Sequence, residues 1–213
     1  MENFYDLSKK HGTDKVGHHG YHLFYPRYLD SLRDERFKML EIGYQDGCSA
    51  RMWKEYFPYS DVYCMDINTG GFIDGCTVIK GDQSKCEDLL TVKETIESAK
   101  FIIDDGSHNQ LDVLTSLHAL WPKLAVNGIY IIEDTHTAYW QEWKGGINSP
   151  LNIVAVSSRF VHNVNLQHMK EPYTPVMRNL RSISYYDSMI VLEKELENKK
   201  ETCSSGVSNI TQD

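Results

Sequence analysis

Two acid-rich clusters concentrate the chemistry of this chain: Asp104-Asp105-Gly106-Ser107-His108 and Glu133-Asp134-Thr135-His136. Each directly follows an isoleucine-rich apolar run, Phe101-Ile102-Ile103 and Ile129-Tyr130-Ile131-Ile132. Such runs read as buried parallel strands, and α/β proteins place their chemistry just beyond the carboxyl ends of strands. Neighbouring strands lie about 4.8 Å apart. If these two are neighbours, Asp105, Glu133 and Asp134 converge on one point. Three carboxylates at one point repel unless a cation sits among them. Hard oxygen ligands suit Mg²⁺ or Mn²⁺ rather than zinc. His108 follows about one helical turn after Asp105 and is placed to act as a base beside such a metal. Acids and glycines after strands also make turns and helix caps. Two such clusters, each with a trailing histidine, favour a site over a pair of turns.

The elements that must hold these residues alternate along the chain. Lys38–Gly43, Asp61–Met65, Thr77–Lys80, Phe101–Ile103 and Ile129–Ile132 read as strands. Ser49–Phe57, Ser84–Ser98 and Asn109–Trp121 read as helices between them. In the last helix Val113, Leu114, Leu117, Leu120 and Trp121 mark one apolar face at helical spacing. This βαβ alternation implies a mostly parallel sheet with helices on both faces. Ser149–Val164 reads as partly helical, and Arg181–Tyr186 and Met189–Glu193 as an antiparallel hairpin turning at Asp187-Ser188. Tyr21, Phe24, Tyr25, Tyr28, Leu29 and Leu32 keep helical spacing, which predicts one helix packed on the sheet with Pro26 near its start. His18, His19 and His22 are zinc-ligand types, but a lid or substrate wall is the better reading.

The first strand leads into Glu41-Ile42-Gly43-Tyr44-Gln45-Asp46-Gly47-Cys48-Ser49. Glycines there let the backbone turn tightly and approach a ligand closely. The dinucleotide fingerprint G-x-G-x-x-G is not matched. The loop instead resembles the E-x-G-x-G-x-G turn of class I S-adenosylmethionine methyltransferases, with Gln45 in the middle glycine position. Asp66 ends the second strand, where a carboxylate can accept both ribose hydroxyls of a nucleoside. Gly81-Asp82-Gln83-Ser84 follows the third strand and could meet an adenine edge or merely cap a helix.

The 213 residues suit one domain of moderate size, and a 41% hydrophobic fraction is enough for a packed core. A formal charge of −8 argues against nonspecific nucleic-acid binding. The sequence has no apolar run long enough to span a membrane and no signal peptide at its start. Five cysteines, with no C-x-x-C pair, point to free thiols in a reducing, cytoplasmic setting. The expected organisation is one domain over 1–196, with 1–36 as an N-terminal cap, and a disordered tail over 197–213.

Gly12-Thr13-Asp14-Lys15, Leu40-Glu41-Ile42-Gly43-Tyr44-Gln45-Asp46-Gly47, Gly81-Asp82-Gln83-Ser84, Ile103-Asp104-Asp105-Gly106-Ser107-His108 and Ile132-Glu133-Asp134-Thr135-His136 carry a family resemblance. Through nearly its whole length, up to about Glu193, the chain resembles the class I, metal-dependent sugar O-methyltransferases related to the macrocin and mycinamicin enzymes. The resemblance implies a Rossmann-like, mostly parallel seven-stranded sheet with an antiparallel C-terminal strand. It implies S-adenosylmethionine as cofactor, met by Thr13, Lys15, Glu41, Gly43, Gln45, Ser49, Asp66, Asp82, Gln83 and Asp104. It implies Mg²⁺ (or Mn²⁺) on Asp105, Glu133 and Asp134, with His108 as general base. The acceptor would be a sugar-containing small molecule or glycan. Tyr21, His22, His136, Tyr139 and Trp140 are candidate walls for it, since aromatic faces pack against sugar C–H faces. Some relatives carry an additional N-terminal domain that these residues do not include, and assembly into a homo-oligomer is left open. A catechol-type O-methyltransferase, a metal-dependent hydrolase and a noncatalytic cofactor-binding subunit remain as rival readings.

Overall fold

A computed structural model describes residues 2–17, 19–170 and 177–195. His18 and the expected tail over 197–213 lie outside the described residues. The strands are β1 (Lys38–Ile42), β2 (Asp61–Asp66), β3 (Gly71–Ile73), β4 (Cys76–Lys80), β5 (Ala99–Asp104), β6 (Leu124–Ile132), β7 (Leu180–Tyr186) and β8 (Met189–Lys194). They form one eight-stranded sheet in the order β3-β4-β2-β1-β5-β6-β8-β7. The five central strands, β4 to β6 in that order, are parallel. Chain order reverses between β1 and β5, which is where α/β sheets open a ligand crevice.

The sheet has one strand more than the sequence suggests. Gly71–Ile73 turns through Asp74-Gly75 and pairs antiparallel with β4, Ile73 facing Cys76. Asp74 and Gly75 both hold positive φ, 52° and 79°, as a tight two-residue hairpin loop requires. At the other edge β7 and β8 form the expected hairpin, and β8 slots antiparallel between β6 and β7.

Strand residues alternate cleanly between two cores. Met39, Phe101, Ile103, Ile129 and Ile131 face one cluster with residues of α1 (Phe4–His11), α2 (Tyr25–Leu29) and α3 (Cys48–Tyr56). Leu40, Ile42, Ile102, Tyr130 and Ile132 face the other, with residues of α4 (Cys86–Ile96) and α5 (Gln110–Leu120). Two-sided burial explains why β5 and β6 read as continuous apolar runs. The first core is aromatic: Phe4 stacks on Tyr25 at 5.0 Å, and Trp53 meets Phe101 edge-on at 5.7 Å. Such ring pairs add about 0.5–1.5 kcal/mol each beyond their buried area.

The N-terminal cap is more broken than the apolar spacing predicts. A single 3₁₀ turn (Tyr21–Leu23), then α2, then a second 3₁₀ turn (Asp30–Leu32) replace one helix, with Pro26 in the first turn of α2. α1 precedes them, capped by Asn3, whose side chain accepts from the Asp6 N–H at 2.9 Å. After β6 come α6 (Ile153–Ser158) and α7 (Val161–Val164), the partly helical stretch seen in the sequence. Among the described residues no helix is long and apolar enough to cross a membrane.

Candidate active site

β1, β5 and β6 are successive neighbours, and Ile42, Asp104 and Ile132 stand level across them. The next residue on each strand is therefore Gly43, Asp105 and Glu133. A cavity of about 500 Å³ opens at these carboxyl ends. Gly43, Gln45, Ser49, Asp66, Asp82 and Gln83 line it, as do Thr13, Asp105, His108 and Asp134. The loops are stitched together by backbone bonds, Gly43 N–H to Met65 O at 2.8 Å and Asp105 N–H to Ile42 O at 3.0 Å. Gly43 has φ 101°, and a Cβ there would lie 2.2 Å from the Asp105 carbonyl oxygen. Only glycine lets these two loops meet.

Asp66 has a dense set of donors. Its Oδ2 accepts from the N–H groups of Tyr44 (3.2 Å) and Gln45 (3.1 Å), and its Oδ1 from those of Asn68 (2.8 Å) and Thr69 (2.9 Å). Burial pushes its pKa up, but these four donors together hold it below the ordinary value. The carboxylate thus fixes the glycine turn while it faces the cavity.

Gln83 does less toward a ligand than its position suggests. Its Nε2 donates to Asp104 (2.7 Å) and Ser116 (3.0 Å), and its Oε1 accepts from the Ser107 N–H at 2.9 Å. The side chain ties the β4 loop to the β5 loop. Asp104, Glu41 and Lys15, expected near the cofactor, do not line the cavity. For Asp104 the cause is strand alternation: it points to the face opposite Asp105, where Ser116 of α5 donates to it. Burial raises its pKa to about 6 against the pull of Ser116 and Gln83. Glu41 is fully buried and accepts from Ser49 Oγ (2.7 Å) and Trp53 Nε1 (3.0 Å).

Lys15 has no solvent exposure. Its Nζ lies 2.8 Å from Asp105 Oδ2, 2.6 Å from Glu133 Oε2 and 3.4 Å from Glu41 Oε1. Burial opposes its charge, yet Asp105, Glu133 and Glu41 more than offset that, and its pKa rises well above the ordinary value. Burial likewise works against the Asp105 charge, but Lys15 holds its pKa below the usual range. Glu133 also accepts a short bond from the buried Tyr25 hydroxyl. A cation does sit among converging carboxylates, and part of that role belongs to the chain itself.

Asp134 is set differently from Glu133. Asp105, His108 and Asp134 each offer a ligand atom within 4.8 Å of the others, all three residues being half-buried. His108 Nε2 is 3.5 Å from Asp134 Oδ2. Tyr21 donates to Asp134 Oδ1 at 2.7 Å and accepts from the Asp134 N–H at 3.0 Å. Tyr21 is fully buried, so it braces Asp134 rather than walling the acceptor space. His22 is also set away from the cavity, its ring against Tyr5 at 5.0 Å. His136 bonds Ser188 Oγ at 2.5 Å and packs against Trp140 at 4.7 Å. Tyr139 and Trp140 are about half exposed, beside the site and not in the cavity lining. His19, read from the sequence as part of a lid or wall, joins this surround, its Nδ1 3.4 Å from Asp134 Oδ1, and so does Trp143, which the sequence did not single out and which meets His108 at 5.9 Å. No local signal marks Tyr25 or Ser188; only the fold brings them here.

No family model matches the chain. Curated relatives do. It is 32% identical over 207 residues to mycinamicin VI 2''-O-methyltransferase of Micromonospora griseorubida, covering 89% of this chain and 52% of the relative. It is 31% identical over 204 residues to 8-demethyl-8-alpha-L-rhamnosyl tetracenomycin-C 2'-O-methyltransferase of Streptomyces olivaceus, covering 88% and 53%. The chain is homologous to the macrocin- and mycinamicin-type sugar O-methyltransferases. It spans about half the length of the curated relatives it matches. A solved MycE methyltransferase from the mycinamycin biosynthetic pathway, in complex with Mg and SAH, superposes with TM-score 0.87 at 28% identity, over 93% of this chain and 56% of that one. Another MycE structure, holding Mg, SAH and mycinamycin VI, superposes equally well. The sheet described above is thus the class I methyltransferase fold of these sugar O-methyltransferases.

Proposed function

We propose that this chain transfers the methyl group of S-adenosylmethionine to a sugar hydroxyl, with Mg²⁺ or Mn²⁺ beside the acceptor. The observation that carries this reading is the Asp105–His108–Asp134 cluster, within 4.8 Å, on the wall of the cavity that the glycine turn lines. Two carboxylates and open neighbouring space suit Mg²⁺, which binds through one or two carboxylates and keeps several waters. Asp105, Asp134 and Glu133 are the proposed carboxylate ligands. Glu133 is engaged by Lys15 and Tyr25, so its share in holding the cation is set by Lys15. Thr13, Gly43, Gln45, Ser49, Asp66 and Asp82 are proposed to surround the cofactor, with Asp66 toward the ribose.

When bound, the cation would acidify a sugar hydroxyl and fix its direction through a neighbouring oxygen. His108 accepts the hydroxyl proton as the oxygen attacks the sulfonium methyl, and the cofactor leaves as the thioether. Asp134, braced by Tyr21, holds His108 from its Nε2 side. The cavity walls supply alignment, which is most of what a reactive methyl donor needs.

A vicinal diol is the acceptor this arrangement favours. Methyl transfer from labelled S-adenosylmethionine into a panel of glycosides tests it. A sugar with a free vicinal diol should accept one methyl, and its deoxy analogue should react slower by about 10⁴-fold. Equal rates would remove the diol from the mechanism.

A further inference from the structure

Gly12-Thr13-Asp14-Lys15 lies far from the strand ends in sequence, yet it delivers an ammonium into the middle of the site. Lys15 Nζ and the proposed cation share one carboxylate, Asp105, whose Oδ2 is 2.8 Å from the ammonium. The same ammonium engages Glu133 at 2.6 Å, and Glu133 is only 2% exposed in its side chain. We propose that Lys15 is a built-in counter-ion that weakens divalent-cation binding. It offsets part of the charge of the Glu41–Asp105–Glu133 group when no metal is present and competes with the metal for Asp105 and Glu133. This rests on the metal reading above and adds a role for a residue that touches neither the cavity nor the acceptor.

The physical argument is a balance of charge. Glu41, Asp105 and Glu133 are ionisable groups pressed together at the ends of three neighbouring strands, and Glu41 and Glu133 are buried. Unpaired buried charge is strongly disfavoured, so a site that must stay folded before metal arrives needs an internal cation. The same positive charge, fixed beside a second cation on a shared carboxylate, repels it. Thr13 holds the turn that aims Lys15, its Oγ1 accepting from the Lys15 N–H at 3.1 Å. A lysine there only to anchor the fold would lose stability on removal, with no gain in metal affinity.

The test is Mn²⁺ binding, followed by the spin resonance of free Mn²⁺, with stability measured separately in chelator. Lys15→Met should lower the melting temperature in chelator. It should also bind Mn²⁺ at least about tenfold more tightly than the parent, since a nearby like charge is gone. Unchanged or weaker Mn²⁺ binding would overturn the proposal. If Lys15→Met does not fold without metal, Glu133→Gln and the double variant Glu133→Gln/Lys15→Met decide the matter, because the double variant sheds one charge of each sign. The double variant should bind Mn²⁺ more tightly than Glu133→Gln alone, and equal or weaker binding overturns the inference. A parent protein that binds no Mn²⁺ would sink the metal reading itself, and this inference with it. A parent that binds Mn²⁺, with affinity indifferent to Lys15, would sink only the counter-ion.

Discussion

His108 and Asp134 both hold left-handed backbone conformations, φ 55° and 53°, that ordinary side chains rarely adopt. Such strain persists only where neighbours over-determine it, and here they do. Tyr21 bonds Asp134 through both its backbone and its carboxylate. The His108 carbonyl accepts from Gln110 Nε2 and Thr137 Oγ1, each at 3.2 Å. His108→Ala should cut turnover by roughly 10²–10⁴-fold while leaving cofactor affinity near the parent value, as steady-state kinetics and calorimetry would show. Near-normal turnover would hand the base role to His136. Asp66→Ala should weaken S-adenosylmethionine binding by about 1.5–3 kcal/mol, the scale for hydrogen bonds to a charged group. Unchanged affinity in an intact fold would take Asp66 out of the site. The acids of β5 and β6 were legible because they directly follow apolar runs. Lys15 and Tyr25 were not legible as partners of Glu133, since they sit 118 and 108 residues from it along the chain.

At the scale of elements, strand ends place the acids and turns decide which way they face. The period of two sends Asp105 and Glu133 to the face shared with Lys15 and sends Asp104 to the opposite core. That alternation was available from the sequence, but it needs the strand boundary, which apolar runs locate only approximately. The hairpin of β3 and β4, which turns at Asp74-Gly75, was not read from the sequence, because a three-residue edge strand carries too little apolar pattern to stand out. The N-terminal cap kept helical spacing while folding as short turns, because packing against Trp53 and Phe101 rewards buried aromatics whatever backbone presents them. Gly43 is the element-scale test. Gly43→Ala puts a methyl 2.2 Å from the Asp105 carbonyl at a φ of 101°, so the β1 and β5 loops must part. Calorimetry should show cofactor binding lost, with far-ultraviolet dichroism still that of the folded sheet. Retained affinity would show that the two loops can separate without disturbing the cavity.

The whole molecule is a methyltransferase-type sheet whose switch point carries a cofactor-sized cavity on one side and a charged cluster at its wall. Net charge of −8 and a carboxylate-rich site fit a small neutral acceptor and a cationic donor better than a polyanion. Cofactor binding should register on the fold as a unit. S-adenosylhomocysteine at about 100 times its Kd should add about 2.7 kcal/mol of stability. For a domain of this size that is about 5–10 °C in melting temperature. No shift would mean that the cavity does not take the nucleoside. The cluster around Asp105 and Asp134 is proposed to hold a divalent cation which the methyl transfer requires. Turnover of labelled S-adenosylmethionine onto a vicinal-diol glycoside, measured in excess chelator and again after Mg²⁺ is restored, tests that claim most directly. Chelator should abolish transfer and Mg²⁺ or Mn²⁺ should recover it, whereas full activity in excess chelator would leave the cation no part in the reaction.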